Sequence, residues 1–137
     1  MSVTFDDGTV RTWSGAWKRT LSGALNGTNF VVTVSVAGDT TINGFSYAET
    51  WGTTRSGDAF VTTLNPPVVF NSICLNKALS GVKTINVTNT TIGTFVLTIT
   101  VGVNSDGTAT TTGCPYGLKL NWTDLQSQPQ QLVLEYK

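Results

Sequence analysis

Apolar positions recur at every second residue along most of this chain. Phe30, Val32, Val34 and Val36 alternate with Val31, Thr33 and Ser35, which gives a strand with one apolar side. Phe95, Leu97, Ile99, Val101 and Val103 do the same within Thr94 to Val103 and mark the clearest core strand. Leu118, Leu120 and Trp122, and later Leu132, Leu134 and Tyr136, repeat the pattern and are expected to face the core. Between these runs stand turn signals, among them Asp7-Gly8, Gly38-Asp39, Asn43-Gly44 and Asn104-Ser105-Asp106-Gly107. Gly, Asn and Asp serve there because a tight turn needs residues that tolerate positive φ or bond their own backbone.

The remaining elements follow from the same two signals. Val3 to Asp6 and Thr9 to Leu21 read as a hairpin about Asp7-Gly8, followed by a Gly- and Asn-rich loop from Ser22 to Asn29. A short strand surrounds Thr40 to Ile42, and the strand after it sets Phe45, Tyr47, Glu49 and Trp51 on one face. Ala59 to Leu64 is a strand ended by Asn65-Pro66-Pro67, since proline cannot donate to a central ladder. Val68 to Ile73 reads as an edge strand, and Cys74 to Ser80 as the one stretch with room for a helical turn. Val82 to Val87 and Thr94 to Val103 form a second hairpin around Asn89 to Gly93, and Thr108 to Thr112 follows the next turn. Turn signals spaced roughly 8–12 residues apart predict an all-β fold, an antiparallel β-sandwich of two packed sheets with about 8–10 strands, or a barrel-like closure of the same strands. The length of 137 residues, with no repeat and no linker, fits one domain over residues 1–137.

Composition narrows the function. The chain has no histidine, which removes the usual base of Ser-His-Asp and Cys-His nucleophiles and the usual ligand of zinc-water sites. Eight Lys and Arg balance eight Asp and Glu with no basic stripe, so no nucleic-acid partner is expected. Charged residues make up only 12% of the chain, about half the usual share. Its polar surface is therefore mostly hydroxyl and amide, as on many extracellular, cell-surface and virion proteins. No apolar run is long enough to span a bilayer. Met1-Ser2-Val3-Thr4-Phe5 begins directly in strand-like sequence, so an export signal is either already removed or was never used. Cys74 and Cys114 either form a bridge, worth roughly 4 kcal/mol on the chain-entropy model, or are two separate small apolar residues in a reducing compartment.

Several landmarks between Asn29 and Cys114 resemble a group of uncharacterised β-rich secreted lipoproteins from Bacteroidota. They are a Val/Thr strand ending near Gly38, the run Asn43-Gly44-Phe45-Ser46-Tyr47, Cys74, Ser80-Gly81 before a strand, and the turn Asp106-Gly107-Thr108. Arg11-Thr12-Trp13 resembles the Arg-x-Trp that precedes this region in the group. There a cysteine directly follows the Asp-Gly-Thr turn, whereas here Ala109 follows and the cysteine comes later, at Cys114. The lipid-attachment cysteine of the group is absent. The resemblance implies a β-rich secreted protein and carries no activity.

Candidate binding residues are aromatic. Trp13 and Trp17, four residues apart, share a face with Arg11, Gly15 and Arg19 if the strand is regular. That face is an exposed strip, or core packing, or is split by a bulge at Gly15. Glu49 beside Tyr47 and Trp51 would suit a sugar, because rings stack on pyranose faces while a carboxylate accepts from hydroxyls. Most other carboxylates sit in turns, and neither Asp6-Asp7 nor Asn104-Ser105-Asp106 supplies a full calcium ligand set, so no metal or cofactor is expected. Three functions remain, in this order. The first is a non-catalytic structural or binding module of a cell surface or virion, acting through self-association or neighbouring structural subunits. The second is a carbohydrate-binding module that uses Trp13, Trp17, Arg19, Tyr47, Glu49 and Trp51. The third is a glycoside hydrolase built on carboxylates alone.

Overall fold

Twelve strands and no helix make up the computed structural model, which describes residues 1–137. They are β1 (Ser2–Thr4), β2 (Val10–Gly15), β3 (Trp17–Asn26), β4 (Asn29–Gly38), β5 (Thr40–Ile42), β6 (Phe45–Thr53), β7 (Ala59–Leu64), β8 (Val68–Asn71), β9 (Gly81–Asn89), β10 (Gly93–Val103), β11 (Gly117–Thr123) and β12 (Pro129–Glu135). The long sheet runs β1-β2-β6-β7-β9-β10-β11-β12, with β5 added to β6, and the short sheet runs β3-β4-β8. Every pairing is antiparallel. This is the expected two-sheet β-sandwich. The long sheet is open, with β1 and β12 at its edges, so there is no barrel closure.

The strand expected over Thr9 to Leu21 is in fact two. Residues up to Gly15 pair with β6, while residues from Trp17 pair with β4 in the other sheet. At the joint the Ala16 N–H donates to the Glu49 carbonyl at 2.9 Å, and the Asp39 N–H donates to the Ala16 carbonyl at 3.3 Å. One strand thus turns a corner between sheets with its backbone still bonded. Gly38 makes the corner passable, because a β-carbon there would stand 1.8 Å from the Tyr47 carbonyl oxygen.

Three other expectations also change. Thr108 to Thr112 is not a strand, and only Ala109 bridges, to Val103. The loop expected from Ser22 to Asn29 is a hairpin, with β3 paired to β4 as far as Asn26 and Asn29 and only Gly27-Thr28 in the turn. Gly27, with a φ of 63°, takes the first of the two turn positions, where a left-handed residue is needed. Cys74 to Ser80 is not helical: Asn71 Oδ1 accepts from the N–H of Ile73 at 3.1 Å and of Cys74 at 2.8 Å, and so holds a turn. Beyond that turn, Cys74 is bonded to Cys114, with their α-carbons 5.4 Å apart. The bridge joins the segment after β8 to the segment before β11.

The buried apolar residues are few: Ala48, Phe60, Val61, Leu64, Cys74, Ala78 and Val103, together with Thr62 and Asn86. Ala48, Phe60, Val61, Thr62, Leu64 and Asn86 lie on β6, β7 and β9, the strands that the short sheet meets, while Cys74, Ala78 and Val103, with the fully buried Pro115, form a second group beside the disulfide. Phe95, Leu132 and Leu134, expected in the core, are exposed instead. The reason is geometric: β10, β11 and β12 extend the long sheet past the end of its three-stranded cover.

Two outcomes test these supports. Gly38→Ala costs about 3 kcal/mol or more, read as a lower urea midpoint. Reduction of Cys74–Cys114 costs about 4 kcal/mol, from the loop it opens, measured by the same titration with and without reductant.

Candidate functional site

The strands place the six candidate aromatic-strip residues apart. Trp13 lies opposite Gly52 and Trp51 opposite Ser14, so the two rings emerge on opposite faces of the long sheet. The Arg11 guanidinium sits 5.5 Å from the Trp13 ring and 5.8 Å from the Phe60 ring, a cation stacked over both. Trp17 is 52% exposed at the start of β3, its ring folded back over Gly15, in the short sheet rather than the long one. Arg19 lies one turn of the pleat further on, beside a shallow hollow with Val34, Val36, Phe70, Leu75 and Asn76.

The expected shared face of Tyr47, Glu49 and Trp51 is broken twice. Tyr47 has a φ of 59°, outside strand geometry, and β6 bulges between Ala48 and Thr50. The bulge turns Glu49 toward β9, where its Oε2 lies 2.9 Å from Lys83 Nζ. The carboxylate side chain is only 19% exposed, and the contact is a charge pair without hydrogen-bond alignment. Glu49 is thus occupied by an ammonium group and stands on the side away from Trp51.

What the strands do bring together lies at the other end of the long sheet. Cross-strand partners Leu97 and Trp122, and Ile99 and Leu120, share one face, and β12 adds Leu132 and Leu134 beside Leu120 and Leu118. Phe95, Leu97, Leu120, Trp122 and Leu125 line an open apolar hollow of about 440 Å³ on this face. A second hollow of about 570 Å³ adjoins it between the β9–β10 and β11–β12 turns, where Ile92 and Leu125 project among Asp58, Asn89 and Asp124. Leu125 is 94% exposed. Its signal in the sequence was an apolar residue at the tip of a polar loop, where nothing local can bury it.

The turn carboxylates, Asp124 of the larger hollow among them, are held by their own turns. Four connections share one pattern, starting at Phe5, Thr54, Asn104 and Asp124: the first N–H donates to the fifth carbonyl, and the fourth N–H donates to the first carbonyl. The fourth residue is left-handed each time, Gly8 at 80°, Gly57 at 85°, Gly107 at 81° and Ser127 at 60°. Inside them Asp7 accepts from the Thr9 hydroxyl and N–H, and Asp106 from those of Thr108. Asp124 accepts from the N–H groups of Gln126 and Gln128 and from Gln130 Nε2. These bonds favour the charged form, so each carboxyl lies below the ordinary aspartate value of 3.8: Thr9 chiefly for Asp7, Thr108 for Asp106, the Gln128 N–H for Asp124. Asp58 accepts from Asn89 Nδ2 at 2.6 Å. The two carboxylates of the larger hollow, Asp58 and Asp124, therefore serve first to fix loops.

The whole molecule exposes 8756 Å². A compact monomer of its mass, 14.6 kDa, exposes about 6,900 Å². The chain thus exposes roughly 1,800 Å² more than a compact monomer of its mass. No family model, curated protein or solved structure matches the chain. No group of three or more Cys, Asp or Glu side chains is placed to hold a metal ion, and no helix is long and apolar enough to cross a membrane.

Acid reports directly on the turns. A depressed carboxyl value contributes stability that is whole above the unfolded value and is lost as pH falls through the folded one. The Asp7, Asp106 and Asp124 turns therefore loosen only below 3.8. The expected result is that the amide resonances of Thr9, Thr108 and Gln128 titrate with midpoints under that value. Midpoints at or above it would refute the bonding pattern.

Proposed function

We propose that this chain is a non-catalytic structural module of a virion or cell surface, working by assembly with neighbouring subunits. The observation that carries the reading is the uncovered apolar face of β10, β11 and β12. Monomeric soluble proteins rarely leave a contiguous apolar face of this kind open, and where one occurs it marks an interaction site. Supporting it are the surplus surface and the low charge, which leaves little ionic repulsion between copies. The disulfide supports an oxidising, extracellular setting. A flat glycan platform draws less support, because Trp13 and Trp51 point to opposite faces and Glu49 is paired with Lys83.

Light scattering after size exclusion, over a concentration series, tests the reading. The expected result is a mass that rises above 14.6 kDa in steps or plateaus at a closed oligomer. A single species at that mass up to the solubility limit would overturn it.

A further inference from the structure

The short sheet carries a second unpartnered surface. All ten residues of β3 are exposed, and with β4 it forms an arm whose outer half no other element covers. Register puts Leu21 opposite Val34, Gly23 opposite Val32 and Leu25 opposite Phe30, so one side of the arm is apolar along its length. Leu25 is 76% and Phe30 65% exposed. Resting on the assembly reading above, we infer that this arm of one copy seats on the β10–β12 face of the next copy, head to tail.

Area, charge and length each point to this occupant. A standard interface takes about 800 Å² from each partner. A surplus of roughly 1,800 Å² per chain is therefore enough for two such contacts, one given and one received. Residues 17–38 include Lys18 and Arg19 and no carboxylate. The larger hollow beside the face holds Asp58 and Asp124 and no cation. The arm strand β3 has 10 residues and β10 has 11, so at about 3.3 Å per residue the arm spans the face when laid along it. With Arg19, which shares the side of Leu21 and Leu25, at the arm's base over the two aspartates, the apolar side lies against Phe95, Leu97, Leu120 and Trp122. Because the two surfaces differ, the contact is heterologous, and repetition gives a ring or a filament.

Complementation between two variants tests it. An arm variant carries Leu21→Asp and Leu25→Asp; a face variant carries Leu125→Asp and Leu132→Asp. All four positions are exposed, so the fold is expected to survive, checked by the near-ultraviolet circular dichroism of the tryptophans. Where a variant fails that check, serine replaces aspartate at the same positions. Each variant alone is expected at 14.6 kDa under conditions where the natural chain assembles. Their equimolar mixture is expected at twice that mass, because it retains one intact arm and one intact face. Assembly of either variant alone, or a mixture that stays monomeric, would overturn the head-to-tail contact while leaving the assembly reading standing. A natural chain that never assembles would instead remove the reading on which the contact rests.

Discussion

The corner at Ala16 is the constraint on which the rest of this molecule depends. A single strand leaves one sheet and enters the other with no loop between, held by the Ala16 bonds to Glu49 and Asp39. That leaves no slack for the two sheets to slide past each other. Their approach is set by backbone contact, with Gly38 against the Tyr47 carbonyl, rather than by interdigitating large side chains. The core beside it can then be small, because covalent continuity already fixes the distance that packing would otherwise have to hold.

A small core has a cost at the far end of the long sheet. β10, β11 and β12 keep the alternation of strands buried on one face, yet the short sheet stops at β9. Their order comes from elsewhere. Repeated five-residue turns with a left-handed fourth residue pin the strand ends. At the opposite end Tyr136 donates its hydroxyl to the Ala78 carbonyl at 3.3 Å, in the segment that the disulfide ties down. Burial pushes the Tyr136 phenol above its ordinary range, so this donor keeps its proton well past neutral pH. The sheet is thus pinned at both ends of these strands without being covered.

The fold class and nearly all the strands were legible in the sequence, because alternation with period two and the Asp-Gly and Asn-Gly signals are local. What local patterning could not carry was the identity of the face behind each apolar row. Leu132 and Leu134 alternate as faithfully as Val61 does, and nothing within their own segment says that the covering sheet ends before reaching them. The corner at Ala16 was hidden for the same reason: Gly15 suggested an interruption, but a bulge and a change of sheet leave the same mark on a sequence. The candidate site failed where regular alternation was assumed. A left-handed Tyr47 and a bulge at Glu49 separate residues that an ideal strand would have aligned. The disulfide had no spacing rule behind it and needed three dimensions to appear.

The position of that bridge has a mechanical meaning. Cys74 follows directly from β8, which is hydrogen-bonded to the arm through β4, and Cys114 stands just ahead of β11, in the middle of the apolar face. If copies join arm to face, tension along the row enters each molecule at one of these surfaces and leaves at the other. One covalent route between them passes through the sulfur–sulfur bond. Hydrogen-bonded strands peel apart under load one rung at a time, whereas a covalent crosslink does not. Each subunit would then be strongest along the line in which the assembly is pulled.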